Sequence, residues 1–357
     1  METKKLLILT QKVDKDDQAL GFFHRWLEEF SKNFTHLEVV ALGVGQYELP
    51  ANVHVHSLGK NSDSNSQENA TIYGSKIWKR ILYVSRFLRL ILGLRDGYDV
   101  VFVHMNEEYV LLGGIFWRLM GKRVVLWRNH KLGSWRTCLA VWLCSVVCYT
   151  SPEAFVAKFK KSVKMPIGID TAYFKPDDSS AALNSILFLS RIDPVKKVDI
   201  FLDSLSFVHH PLQANLVGSP TEKGSIYAKN IAAKAGPLIQ NNLLTMHPAV
   251  TYAETRDFYR RNAVFVNLTP SGSFDKTIGE AMSTGTLVVC ANSAVREVLP
   301  PECFVQNIDA ESVAKALTYA LRIGQGERKD IGLRLRTYIE KEHSLSLLME
   351  RLSRLFN

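Results

Sequence analysis

Short apolar runs rich in β-branched residues alternate with longer amphipathic segments from one end of this 357-residue chain to the other. Few folds accept that alternation, because a strand, a crossing helix and a second strand in one sheet build a parallel layer covered by helices. Strands are predicted at 6–10, 37–42, 53–57, 100–104, 124–127 and 146–149, and the pattern restarts at 186–189, 214–217, 243–246, 264–267, 287–290 and 303–305. Between the two sets, KPDDSSAALNS at 175–185 is polar and turn-rich, as a linker would be. The expectation is an α/β protein of two Rossmann-like domains facing across a cleft, at 1–168 and 169–338. A terminal helix at 339–357 is expected to cross back to the first domain, and NSDSNSQEN at 61–69 reads as a surface loop.

A composition of 46% hydrophobic and 22% charged residues excludes a disordered chain or a small disulfide scaffold. The five cysteines are odd in number and form no C-x-x-C, so they read as reduced, mostly buried thiols in a cytosolic protein without a metal. METKKLLILTQK has too short an apolar run for a signal peptide, and the longest apolar stretch, at 138–149, falls short of the roughly 20 residues that span a bilayer. The expected location is cytoplasmic, extending to peripheral attachment on the inner face of the plasma membrane. Net charge is +9, and residues 74–164 alone hold 16 basic against 5 acidic side chains. Such an excess suits an anionic partner such as nucleic acid, a membrane surface or a phosphorylated substrate, and equally a solvated basic face.

The most specific string is VFVNLTPSGSFDKTIGEAMSTGTLVVC at 264–290: strand, Ser/Gly-rich loop, helix with Glu280, turn at Gly285, strand. A small-residue loop feeding a helix N-terminus offers free N–H groups to a phosphate or sugar, and a carboxylate can accept from vicinal hydroxyls. The string resembles the carboxy-terminal signature of the retaining glycosyltransferases of family 4, E-x7-E followed by A-M-A-x-G-x-P-V-V. That family has the GT-B fold, and its second glutamate, matched by Glu280, binds the nucleotide ribose. Gly272 stands where the first glutamate belongs. Ser273, Phe274 and Asp275 replace G-F-G in a segment that touches the transferred sugar, so Asp275 or Lys276 is expected either to supply the missing contact or to cap the helix.

LFLSRIDPVKKVDIFLDSL at 187–205 resembles the family's G-R-L-x-P-x-K-G-x-D, with Arg191 and Lys196 matching the cations that clasp the donor diphosphate. Ser190 precedes the arginine, and Lys197 takes the place of glycine. LVGSP at 216–220 matches V-G-x-G-P, which puts Gly218 near the nucleotide, while MPIGIDTAYFKP at 165–176 and the run 250–271 match more weakly. In the first half Gly21 stands alone for the family's G-G-x-E turn over the phosphates. His104 and His130 end predicted strands; the first matches the acceptor side and the second the histidine beside the transferred sugar. Residues 73–93 form a basic amphipathic helix with Ile77, Ile81, Val84, Leu88 and Ile91 on one face, and Lys76, Lys79, Arg80, Arg86 and Arg89 are the expected contacts to anionic lipid.

The resemblance implies a nucleotide-diphosphate sugar as donor, a glycan or lipid-linked acceptor, an anionic membrane surface and no nucleic acid. It implies no cofactor, no metal and no side-chain nucleophile: an acceptor hydroxyl attacks the anomeric carbon on the face the diphosphate leaves, and a donor phosphate oxygen takes the proton. The departures at Gly272, Gly21 and Asp275 leave open a non-catalytic nucleotide-sugar-binding scaffold, an epimerase or a donor hydrolase on the same fold.

Overall fold

The computed structural model describes residues 5–60, 73–177, 182–222, 224–270 and 273–356. Two compact units emerge, one comprising Met1–Met165 with Met349–Asn357 and the other Pro166–Leu348.

In the first unit β1 (Lys5–Val13), β2 (His36–Val44), β3 (Val53–Ser57), β4 (Val100–His104), β5 (Arg123–Trp127), β6 (Val146–Tyr149) and β7 (Ser162–Lys164) form a parallel sheet in the order β3-β2-β1-β4-β5-β6-β7. Leu6, Leu7, Ile8 and Leu9 are all fully buried, as expected of a strand covered on both faces. Helices α2 (Tyr73–Gly93), α3 (Glu107–Leu119) and α4 (Trp135–Leu143) cover one face through Phe87, Ile91, Val110, Trp117 and Val141. On the other face α1 (Gly21–Asn33) lays Phe30 against Phe102, and Phe356 joins them with ring centroids 6.2 and 5.9 Å away.

The second unit holds β8 (Ala182–Leu189), β9 (Gln213–Val217), β10 (Leu244–His247), β11 (Asn262–Asn267) and β12 (Leu287–Cys290), all parallel, in the order β10-β9-β8-β11-β12. Its helices are α5 (Val198–Leu205), α6 (Ile226–Gln240), α7 (Tyr252–Arg261), α8 (Lys276–Ser283), α9 (Ala310–Arg322) and α10 (Gln325–Glu342); α11 (Leu345–Phe356) runs from this unit's last residues into the first unit's.

Three expectations need correction. The strand at 303–305 is absent: Pro300 and Pro301 open a one-turn 3-10 helix, and only Phe304 bridges to Cys290, so this sheet has five strands. β7 was not expected, since SVK is too short and polar to stand out. β8 starts at Ala182, inside the expected linker, with three exposed residues before its buried run. The loop expected at 61–69 lies outside the described residues.

Candidate functional site

In the second sheet β8 is the switch point: its chain leaves toward β9 on one side, whereas β11 leaves toward β12 on the other. Loops that diverge in this way open a crevice beyond the carboxyl ends of the strands, where open α/β sheets hold their ligands. After β8 the chain turns through a 3-10 helix, Pro194–Lys196, whose first turn is capped by Asp193 accepting from the Val195 N–H at 3.0 Å. Lys197 ends the turn at φ 58°, a left-handed conformation that costs a non-glycine residue roughly 1–2 kcal/mol. The geometry expected of glycine is thus kept by a lysine.

The loop after β9 is drawn tightly against this one. Ser190 and Ile192 donate their N–H groups to the carbonyls of Val217 and Ser219, each at 3.0 Å. Gly218 permits the approach, since at φ +151° a Cβ there would lie 1.8 Å from the Ser190 carbonyl oxygen. Its place near the expected site therefore has a backbone reason.

Lys196 and Asp275 meet at the switch point. The Lys196 Nζ donates to Asp275 Oδ2 at 2.5 Å and to Thr269 Oγ1 at 3.2 Å. The same carboxylate accepts from Asn267 Nδ2 at 3.3 Å and, at its other oxygen, from the Thr277 hydroxyl at 3.1 Å and the Thr277 N–H at 3.4 Å, which makes Asp275 the N-cap of α8. Burial raises the Asp275 pKa, but the Lys196 charge and the hydrogen bonds from Lys196, Asn267 and Thr277 outweigh it and hold the group below its ordinary value. Arg191 is exposed, and among the described residues no acceptor engages its guanidinium.

One turn further along α8, Lys276 and Glu280 share a helix face at i and i+4. The Lys276 Nζ donates to the carbonyls of Ile167 at 2.6 Å and Gly168 at 3.2 Å, and the Tyr259 hydroxyl donates to Glu280 Oε2 at 3.0 Å. Glu280 is buried, which raises its pKa against the opposing pull of Lys276 and Tyr259; burial likewise lowers that of Lys276. Phe274 packs in the core, edge-on to His343 at 4.8 Å, and the Ser273 carbonyl accepts from Asn292 Nδ2 at 2.8 Å. Gly272 lies outside the described residues.

Residues 184–322, which span nearly all of β8 and continue through β12, match the family model described as glycosyl transferases group 1. This segment is similar to the group 1 glycosyltransferases. Over 148 residues it is 27% identical to the D-inositol 3-phosphate glycosyltransferase of Kineococcus radiotolerans, covering 37% of this chain and 34% of that one. The enzyme of the same name from Acidothermus cellulolyticus matches at 27% over 143 residues, 36% of this chain and 32% of that one. The match thus spans about a third of the length of these curated relatives. Among solved structures, Anabaena HepE in complex with UDP and glucose superposes over 98% of both chains with a TM-score of 0.75 at 16% identity. A glycosyltransferase from Rickettsia africae covers 99% of this chain and 98% of its own with a TM-score of 0.76 at 12% identity. The fold is of the GT-B type.

Within the second unit the expected Lys196, Asp275, Lys276 and Glu280 share one neighbourhood, and sequence reading misses Asn267, Thr269 and Tyr259 there. Besides these and Arg191, Gly218, Ser273 and Phe274, the expected residues belong to the first unit. There, Gly21 is the first residue of α1, its N–H on the Asp17 carbonyl at 2.9 Å. His104 does end β4, but buried: it stacks on Phe23 at 4.1 Å and its Nδ1 lies 3.3 Å from Thr10 Oγ1. Met105, next to it, is forced to φ 69°. His130 does not end a strand, since β5 stops at Trp127; it is exposed in the following loop, with Nδ1 accepting from the Leu132 N–H at 3.1 Å.

The expected basic helix at 73–93 is present. On α2, Ile81 of the expected apolar face is exposed, while Phe87 and Ile91 are the residues buried in the core. Arg86 turns onto the Leu58 carbonyl at 3.0 Å. Arg80 and Arg89 are exposed, as is Lys79, while the Lys76 side chain lies outside the described residues. Sequence reading missed a larger feature of the same layer. Trp78 on α2 and Trp135 and Trp142 on α4 are 72%, 74% and 58% exposed, and Ile115 and Leu119 on α3 are exposed between those helices. Arg118 sits 4.6 Å above the Trp142 ring. From residue 109 to residue 152 the sequence has six basic and no acidic side chains. Among the described residues no helix is long and apolar enough to cross a membrane.

Proposed function

We propose that the chain is a retaining glycosyltransferase that moves a sugar from a nucleotide-diphosphate donor to a hydroxyl of a glycan or lipid-linked acceptor, in the synthesis of a cell-surface polysaccharide or glycolipid. The observation that carries this is the convergence of Lys196, Thr269 and the α8 N-terminus at the switch point of a domain matching the group 1 glycosyltransferases. The names of its relatives, which act on D-inositol 3-phosphate, and of its structural neighbour, complexed with UDP and glucose, agree with a nucleotide-sugar donor and a hydroxyl acceptor.

In the reaction the acceptor oxygen bonds to the anomeric carbon as the bond from that carbon to the diphosphate oxygen breaks on the same face, and the acceptor proton passes to a donor phosphate oxygen. No side-chain nucleophile and no metal enter these steps. Charge accumulates on the leaving diphosphate, so Lys196 and the exposed Arg191 stabilise the transition state more than the bound donor. Glu280 takes the ribose hydroxyls, Gly218 lets the backbone approach the nucleotide, and Ser273, Phe274 and Lys276 border the donor sugar.

The exposed tryptophans and the basic excess of the first unit support attachment of this enzyme to the cytoplasmic surface of an anionic membrane, where a lipid-linked acceptor is found. Release of nucleoside diphosphate on adding acceptor tests the reading. Lys196→Ala at saturating donor is expected to lower kcat by about 10²–10³. A wild-type chain that binds a nucleotide sugar but releases no diphosphate with any acceptor extract would overturn transfer and leave a scaffold.

A further inference from the structure

The carboxylate of Asp275 occupies a position built like an anion site. It lies at the positive end of α8, takes the Thr277 N–H and hydroxyl at one oxygen, and takes Asn267 and Lys196 at the other. Five polar donors therefore converge on a negative group that the chain itself supplies, Thr269 Oγ1 at 3.4 Å being the fifth. Lys196 gives its shortest contact to this carboxylate, and the ion pair is only about one-sixth exposed on either side. A lysine held this way is already neutralised before any ligand arrives.

We propose that Asp275 is an internal counterion that holds Lys196 in the donor-free protein, and that an incoming nucleoside diphosphate must displace it to reach that lysine. The inference rests on the donor-site reading of Lys196. Its consequence is that Asp275 weakens the binding of diphosphate, and with it the retention of the product left after transfer. A like charge beside a bound diphosphate disfavours it, and the effect is large where both are shielded from water. The alternative for the same side chain is a hydrogen bond to a hydroxyl of the transferred sugar. The two differ in sign: a counterion opposes the diphosphate, whereas a sugar contact favours the intact donor.

Asp275→Asn separates them, because asparagine caps a helix as well as aspartate and removes only the charge. Binding of UDP, GDP and ADP, and of UDP-glucose, to the full-length chain would be measured by calorimetry for wild type, Asp275→Asn, Lys196→Ala and the double variant. The tightest-binding diphosphate is expected to bind Asp275→Asn at least ten-fold more tightly than wild type, about 1.4 kcal/mol, and the gain is expected to vanish in the Lys196→Ala background. An unchanged or weakened diphosphate affinity in a folded Asp275→Asn overturns the counterion; a loss confined to UDP-glucose assigns the residue to the sugar instead. Binding of none of the diphosphates to any of the four proteins would overturn the donor-site reading as well, whereas diphosphate binding with no effect of Asp275→Asn overturns the counterion alone. Unfolding of the variant, read by circular dichroism, is answered by Asp275→Ser, which keeps a capping oxygen without charge and carries the same expectation.

Discussion

Glu280 pays for its position within α8 through desolvation. Its carboxyl, raised by burial, keeps a proton at pH values where the unfolded chain, with an ordinary glutamate near 4.5, has lost it. Across that interval the native state binds more protons than the unfolded one, so the Glu280 contribution to stability falls as pH rises toward neutrality. Lys276, lowered by burial, acts in the opposite sense and returns stability as pH climbs toward its ordinary range. Urea denaturation of wild type and Glu280→Gln at pH 5 and pH 7 is therefore expected to show the variant gaining on the wild type at the higher pH. A difference independent of pH would mean that Glu280 is ionised in the fold throughout. Of this neighbourhood the charged members were legible, because Lys196 and Glu280 stand in strings with recognisable spacing. The neutral members were not: Tyr259 reaches Glu280 from 21 residues away and Thr269 reaches Lys196 from 73, and a hydroxyl at the end of a strand or helix has no spacing of its own.

At the scale of elements, the site depends on how closely the turns after β8 and β9 can run together. Gly218 carries that closeness, with the Ser190 carbonyl where a side chain would begin. Gly218→Ala is expected to cost at least about 2 kcal/mol, by strain at positive φ and by parting the two turns, and urea titration measures it. A loss under about 0.5 kcal/mol would show that the turns separate freely. Strands covered on both faces were readable from sequence, since runs such as LLIL and VVFV have no other comfortable environment. Edge elements were not. β7 has three residues, two of them exposed, while the 303–305 run is apolar but starts inside a proline-led turn that removes the residues needed for a ladder.

For the whole molecule, the helical layer on one side of the first sheet carries exposed indoles and aliphatics in a stretch free of acidic residues. Each lysine or arginine near an anionic lipid surface contributes roughly 1 kcal/mol, and indole rings favour the headgroup region. Sedimentation with phosphatidylglycerol vesicles is expected to show salt-sensitive binding that falls at least ten-fold in Trp135→Glu/Trp142→Glu. Equal binding of variant and wild type, or equal binding to phosphatidylcholine, would count against this face. The sequence pointed to the basic helix α2 and passed over α4, because WRTCLAVWL reads as a core helix until the packing shows which stripe meets the sheet.

Cys138 lies on the outward stripe of α4, three residues after Trp135 and four before Trp142, which places the three on one exposed side of the helix. Its thiol is exposed, whereas Cys144, Cys148, Cys290 and Cys303 are buried, and burial pushes their thiols above the ordinary range. Alkylating reagents attack thiolates that they can reach, so they discriminate between Cys138 and the other four without any engineered substitution. An environment-sensitive fluorophore coupled there would sit among the indoles, and its emission would report whether that side of the native chain leaves water when vesicles are added.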